Sequence, residues 1–435
     1  MTDRTSVESR AQGNDHVDPD YPVDPVPLHA RKSTFSLAVV LVGFTMFTPT
    51  MLAGAQVGAG FPFLPLMGVL LLGSLVLGVY VSALGWLGAS TNLTTAMMAR
   101  ATFGQAGAKL SSVLLGGTQI GWYGVSVATL ALLTGQALGW EGELATRALM
   151  LASGLLMGVT AYFGYRGMYA LSLVALPLML ILGAWVAWRA FEEVGGLGAM
   201  LEIRPGESMG LAMAVTLIVG TFASGGTQAP NWTRFARTPM AGFWTCMIAF
   251  LGAQLLMLFS GAIGALAFGE GDFVVVLFNL GLVVWGLLFL VANIWTTNDN
   301  TAYNVGVAGA ELFDVRSKKP FVIAGVVIGT LLAVTGIYDS LITYLVWLGI
   351  LIPPLGGVIL GDHLARRAEW SEAGVHRAPA AGVRWDSIGV YAVACVTAWA
   401  ANEASFFIPP VVGMVVAFAG ALVVAAVGRR SMNVR

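Results

Sequence analysis

Asn293, Thr296, Thr297 and Asn300 fall at i, i+3, i+4 and i+7, so one helix face collects two hydroxyls and two amides. They follow "GLVVWGLLFLVA", a run apolar enough for lipid. Burying such groups without partners costs roughly 1–3 kcal/mol each, so they call for another helix, an ion, a ligand or water. Thr296 and Thr297 each offer a hydroxyl oxygen, and Asn293 a backbone carbonyl. Far upstream, "LVGFTMFTPTMLAG" places Pro49 where the carbonyl of Thr45 loses its helical donor. A helix opened there frees carbonyls near Gly43 and Met46. Oxygen ligands with no carboxylate among them suit a weakly held monovalent cation better than a divalent one, and sodium is the natural candidate. Asp299 lies on another face, past the midplane. It is expected to be structural, with a polar or basic partner, although an intramembrane acid can also relay protons. Asn298, Asp299 and Asn300 are given no role in the ion site.

A second set of residues suits a flat ring. In "LLGGTQIGWYGV", Gln119 and Trp122 share a helix face, and the surrounding glycines allow close approach. Phe47 and Phe222 stand beside two helix breaks and can add aromatic walls, each stacked pair being worth roughly 0.5–1.5 kcal/mol. The carboxamide of Gln119 presents a donor and an acceptor, matching the edge of a pyrimidine or purine. Thr221 and Ser224 add hydroxyls.

The elements that must hold these residues are membrane helices. The chain has 435 residues, 57% hydrophobic and 10% charged, with a mean hydropathy of +0.80. A soluble domain carries about 25% charged residues. Apolar tracts long enough to cross the bilayer fall near 34–59, 64–88, 109–138, 144–164, 168–191, 209–230, 240–268, 281–311, 320–338, 340–363, 386–402 and 407–428. With both termini inside, all but Arg147, Arg189 and Arg204 of the 22 Lys and Arg lie on the cytoplasmic side, as the positive-inside rule asks. The expected layout has a tail at 1–33, lying disordered in the cytoplasm, and a ten-helix core at 34–363. A cytoplasmic loop follows at 364–385, then two further helices within 386–428 and a cytoplasmic tail at 429–435. The location is a cell (inner) membrane crossed many times.

Several function classes drop out. Cys246 and Cys395 have no disulfide or zinc spacing, and His16, His29, His363 and His376 all fall in tails or loops. No nucleophile–base pair or metal cluster exists to make an enzyme, and there are no catalytic residues to name. Nothing suggests a nucleic-acid ligand, a cofactor beyond a coupling ion, or an obligate protein partner.

Two interrupted helices sit at matching places. Besides Pro49 in span one, span six reads "VGTFASGGTQAPNW", where Gly225 and Gly226 weaken the helix and Pro230 is expected to free the carbonyl of Gly226. Spans one and six each begin a set of five, within 34–191 and 209–363. An odd number of spans per set inverts the second against the first. Broken helices at corresponding positions of inverted repeats mark a transporter's central site.

"PVPLHARKS", "LLGGTQIGW", "NIWTTNDN" and "IPPLGGVILGD" occur here in order and together resemble the bacterial cytosine permeases of the nucleobase–cation–symport-1 (NCS1) family, over roughly 25–370. The resemblance implies an all-α integral membrane protein of 12 transmembrane helices with a 5+5 inverted-repeat, LeuT-like fold, broken in helices 1 and 6. It implies sodium held by backbone oxygens of Gly43, Met46 and Asn293 with the hydroxyls of Thr296 and Thr297. It also implies a nucleobase stacked on Trp122 and Phe222 near Phe47, with polar contacts from Gln119, Ser224 and the Thr221 region. Met46 stands where relatives often carry an aromatic residue, Thr221 for a usual serine, and Asn231 for a common aspartate. The expected activity is sodium–cytosine symport by alternating access. The alternative is a proton- or sodium-coupled importer of another ring, such as a purine, a hydroxymethylpyrimidine or a hydantoin.

Overall fold

The computed structural model describes residues 18–140, 142–204, 206, 208–367, 370 and 382–433, and all of its regular elements are helical. The spans are α1 (Thr34–Thr45) with α2 (Thr48–Gly58), α3 (Phe63–Thr91), α4 (Ala108–Leu138), α5 (Glu143–Tyr162), α6 (Tyr165–Val194) and α7 (Leu211–Thr227). They continue with α8 (Pro239–Phe268), α9 (Val283–Phe313), α10 (Lys319–Val334), α11 (Leu341–Ala365), α12 (Trp385–Glu403) and α13 (Pro409–Asn433). Seven helices are long and apolar enough to cross a membrane unaided, and the bent pair α1/α2 makes an eighth. The other four are α4, α9, α10 and α12. Of these, α4 and α9 hold the polar residues singled out above, so their composition is diluted where they face the protein interior rather than lipid.

Both interruptions exist, and neither lies where proline or glycine alone would place it. Helix one breaks at Met46 and Phe47, whose backbones are extended (φ −78°, ψ 91° and φ −137°, ψ 125°), and the halves diverge by 57°. Pro49 sits in the first turn of α2, where a missing N–H costs nothing, so it starts the second half rather than kinking the first. In α7 the helix runs straight through Gly225 and Gly226, and the one non-helical residue is Phe222 (φ −130°, ψ 16°). The carbonyl expected to be free, that of Gly226, accepts from the Ala229 N–H at 2.9 Å. Pro230 begins a short turn, Pro230–Thr233. Gly225 serves approach instead of bending: a Cβ there would lie 2.6 Å from the Phe44 ring.

The helix α9 is central, packed along α4, α5, α6 and α10 and touching both halves of span one. From Asn293 to Asn304 it carries an almost unbroken run of buried polar side chains. α2 lies against α8, and the last two spans pack on α11.

The N-terminal segment corrects the expectation of a disordered tail for its described part; residues 1–17 lie outside the described residues. Residues 18–33 dock against the end of span six and the start of span nine. Lys318, at the start of α10, is buried with Nζ 3.1 Å from Asp18 and 2.8 Å from Asp20. Fully buried Arg234 donates to the carbonyls of Tyr21 (2.5 Å) and Asp20 (2.6 Å). Lys32 pairs with the chain at Phe235 through its backbone N–H (2.7 Å). Two buried cations needed oxygen partners, and the tail's acids and carbonyls supply them. Composition alone, rich in Asp and Pro, reads as disorder because it does not reveal buried cations elsewhere.

Candidate functional site

The break in helix one releases carbonyls, and α9 meets them. In an unbroken helix the Thr48 N–H would reach the carbonyl of Phe44. Here it donates to Asn293 Oδ1 at 2.6 Å, and the Thr48 hydroxyl donates to the same oxygen at 2.8 Å. Thr296 Oγ1 lies 3.1 Å from the Gly43 carbonyl, 3.0 Å from that of Asn293 and 2.9 Å from that of Ala292. Thr297 Oγ1 lies 3.1 Å from the Phe44 carbonyl and 3.2 Å from that of Asn293. Each hydroxyl has one proton, so the two together cannot serve the four carbonyl oxygens gathered around them. A cation would be held by the same oxygens, none of them a carboxylate, which fits a monovalent ion.

Of the expected ion ligands, Gly43, Asn293, Thr296 and Thr297 therefore come together. Met46 closes the first half-helix, its N–H donating to the Val42 carbonyl at 3.0 Å, and its extended backbone begins the break. The carbonyl that Thr297 meets is that of Phe44, which sequence reasoning missed. Its only signal was proximity to the break, since backbone oxygens leave no residue-type signature. The role of Asn293's side chain, capping α2 across the break, was also not foreseen.

One turn away, Phe44, Phe47, Gln119, Trp122, Thr221, Phe222, Gly225, Thr297 and Thr301 line a small cavity. Phe47 stands edge-on to Trp122 (centroids 5.5 Å apart) and to Phe222 (6.1 Å), and Phe44 to Phe222 (5.2 Å). The cavity volume is about 10 Å³, room for roughly one water. Admitting a ring between these faces requires the aromatic side chains or the half-helices to part. Gln119 donates from Nε2 to Ser224 Oγ at 3.0 Å, and its Oε1 has no hydrogen-bond partner among the described residues. That leaves a buried acceptor beside the cavity. Ser224 takes part through Gln119 and is not itself a wall residue. Thr221 presents itself to the cavity, but its hydroxyl donates to the Ile218 carbonyl at 2.7 Å. Tyr344, also missed, packs edge-on against Trp122 (5.4 Å) with its hydroxyl donating to the Thr118 carbonyl at 2.5 Å.

Asp299 turns away from both places. Its Oδ1 accepts from the Thr160 hydroxyl on α5 at 2.5 Å, and Thr160 in turn accepts from Trp295 Nε1 at 2.7 Å. Toward the N-terminal segment, Asn231 donates to Asn304 Oδ1 at 2.8 Å and accepts from the Thr95 N–H at 3.2 Å. These bonds tie the end of span six to α9 below the cavity.

The family described as permeases for cytosine/purines, uracil, thiamine and allantoin matches residues 25–426. A cytosine permease of Escherichia coli O157:H7 is 38% identical over 405 residues, covering 93% of each chain. Among solved structures, Mhp1, a nucleobase-cation-symport-1 family transporter in a closed conformation with bromovinylhydantoin bound, superposes with a TM-score of 0.79 at 18% identity over 94% of this chain and 95% of that one. Its inward-facing conformation gives 0.80 at 17% identity, covering 95% and 94%. At those identities the likeness carries the fold: twelve helices in two inverted sets of five plus a final pair, with the first helix of each set broken.

Proposed function

The chain belongs to the cytosine/purine permease family as a multi-pass membrane transporter, not an enzyme, and we propose that it imports cytosine with sodium by alternating access. The observation that carries this reading is the sharing of one break by two sites. Residues 43–47 offer the carbonyls that face Thr296 and Thr297, and the same stretch supplies Phe44 and Phe47 to the cavity. Thr297 belongs to both. Sodium held by Gly43, Met46, Asn293, Thr296 and Thr297 would fix the two half-helices against α9 and so fix the cavity walls. A base would stack between Trp122 and Phe222 beside Phe47, with the Gln119 amide and the Ser224 and Thr221 region along its edge.

The core at 34–363, with repeats at 34–191 and 209–363, would do the transport, with both termini and the loop at 364–385 on the cytoplasmic side. The basic residues support that orientation: Lys32, Arg100, Arg234, Lys318 and Arg384 share one face and bind the segments around it. In a bacterial inner membrane each sodium entering would contribute about 2.3 kcal/mol per 100 mV.

Labelled cytosine uptake into proteoliposomes tests the reading. Uptake that rises with a sodium gradient, and stops when potassium replaces sodium, is the expected result. Uptake indifferent to sodium but driven by a pH gradient would overturn the coupling. A competition panel of pyrimidines, purines and hydantoins in the same vesicles would reassign the substrate if cytosine were not the strongest competitor.

A further inference from the structure

Span seven passes behind the interruption in span six, and one polar side chain reaches from it. Gln254, on α8, is fully buried, and its Oε1 has no hydrogen-bond partner among the described residues. Its Nε2 lies 3.1 Å from the Ile218 carbonyl and 3.1 Å from Thr221 Oγ1, and it can donate a proton to each. Thr221 Oγ1 itself donates to the Ile218 carbonyl at 2.7 Å, so the three groups close a ring immediately before Phe222. Ile218 is the residue whose carbonyl the Phe222 N–H would meet in a regular helix. Here Phe222 leaves helical dihedrals, and the Ile218 carbonyl receives a hydroxyl and an amide from the side.

The ring also limits what Thr221 can offer a ligand. Its one proton goes to Ile218, and one lone pair faces Gln254. A methyl group and one acceptor position remain for the cavity. Gln254 itself is not a wall residue, whereas Thr221 and Phe222 are.

We infer that Gln254 is a positioning residue for the base site: acting through Thr221 and the Ile218 carbonyl, it sets the bend that presents the Phe222 ring, without touching the base. This rests on the cavity being the nucleobase site. A purely structural tie between spans six and seven, of the kind amides make in membranes, would lower stability and leave affinity unchanged.

The test uses the full-length protein with Gln254→Met, which keeps the length and apolar volume and removes the donor. Half-saturating cytosine should rise about tenfold, the scale of a lost buried hydrogen bond, while the maximal uptake rate stays within about twofold. The rise in melting temperature that sodium produces in base-free detergent-solubilised protein should match wild type, because Gln254 touches none of the proposed ion ligands. Combining Gln254→Met with Thr221→Val should raise half-saturation no further than the larger single change. Gln254→Asn, an amide one methylene short, gives the same expectation should the methionine variant not fold. Unchanged cytosine affinity in the variants, or strictly additive effects with Thr221→Val, would overturn the inference. A wild-type protein unresponsive to every pyrimidine, purine and hydantoin would instead remove the substrate reading on which it stands.

Discussion

Asn293 Oδ1 accepts both the backbone N–H of Thr48, at 2.6 Å, and the Thr48 hydroxyl, at 2.8 Å. One side chain of α9 thus caps the second half of helix one from another span. The cap holds the break open in a defined geometry and keeps the Gly43 and Phe44 carbonyls facing Thr296 and Thr297. Replacing Asn293 by Ala should cost about 0.5–2 kcal/mol of stability, as for other lost helix caps. It should also raise the sodium concentration for half-maximal uptake. Asn293→Asp retains an acceptor for Thr48 and should keep most of the thermal stability. If Ala and Asp behave alike in melting experiments, the cap contributes nothing.

Thr297 joins the ion ligands to the cavity, so its loss should register at both. Thr297→Ala is expected to weaken sodium activation by about tenfold or more, the scale of a lost oxygen ligand or buried hydrogen bond. Thr297→Ser, which keeps the hydroxyl, should stay close to wild type. Initial uptake rates across a sodium titration distinguish the two. Thr296→Ala should act on sodium alone, because Thr296 does not line the cavity.

The aromatic walls make a graded prediction. Trp122→Leu or Phe222→Leu removes ring faces while leaving apolar volume, and each should raise half-saturating cytosine by roughly two- to tenfold, matching about 0.5–1.5 kcal/mol per aromatic pair. Gln119→Ala should be more severe, since it removes the unpartnered Oε1 and the donor to Ser224. Equilibrium binding of labelled cytosine measures all three without the transport step.

Lys318 lies between Asp18 and Asp20 in a buried cluster. Lys318→Met leaves two buried carboxylates without their cation, a change of the kind that costs about 3–5 kcal/mol. The expected outcome is release of residues 18–32, seen as faster amide hydrogen exchange there and at Arg234. Adding Asp18→Asn and Asp20→Asn should slow that exchange again. Exchange that is unaltered in Lys318→Met would show that Arg234 and the backbone contacts hold the segment without the ion pairs.

Asp272, in the connection after α8, caps the helix Phe273–Asn279 by accepting the Val274 N–H at 2.8 Å. Burial outweighs that bond and pushes its carboxyl up to about 6 from an ordinary 3.8. A folded state that holds its proton more tightly than the unfolded chain loses stability as pH rises between those values. Melting temperature should therefore fall from pH 4 to pH 6 by more in wild type than in Asp272→Asn, which keeps the capping oxygen. Parallel pH profiles would remove Asp272 as the source.

The spans were legible because hydropathy reports directly on lipid: the boundaries read from apolar tracts fall within a few residues of the helices. The face Asn293, Thr296, Thr297 was legible because helical spacing is a property of one segment. So were Gln119 and Trp122, standing together on one helix. What the chain alone could not decide were meetings between segments far apart. The interruption falls at Phe222 rather than at Gly225 or Pro230, beside a carbonyl and a hydroxyl that a glutamine 32 positions downstream reaches from another span. The docking of residues 18–33 depends on Lys318 and Arg234 being buried. The Phe44 carbonyl carries no side-chain mark at all and becomes a candidate ligand only because Thr297 lies 3.1 Å away. Residue type and periodicity determine which groups cannot face lipid. Only the packed helices determine which group each of them finds, because hydrogen bonds and ion contacts are settled over about 3 Å across partners that share no local sequence.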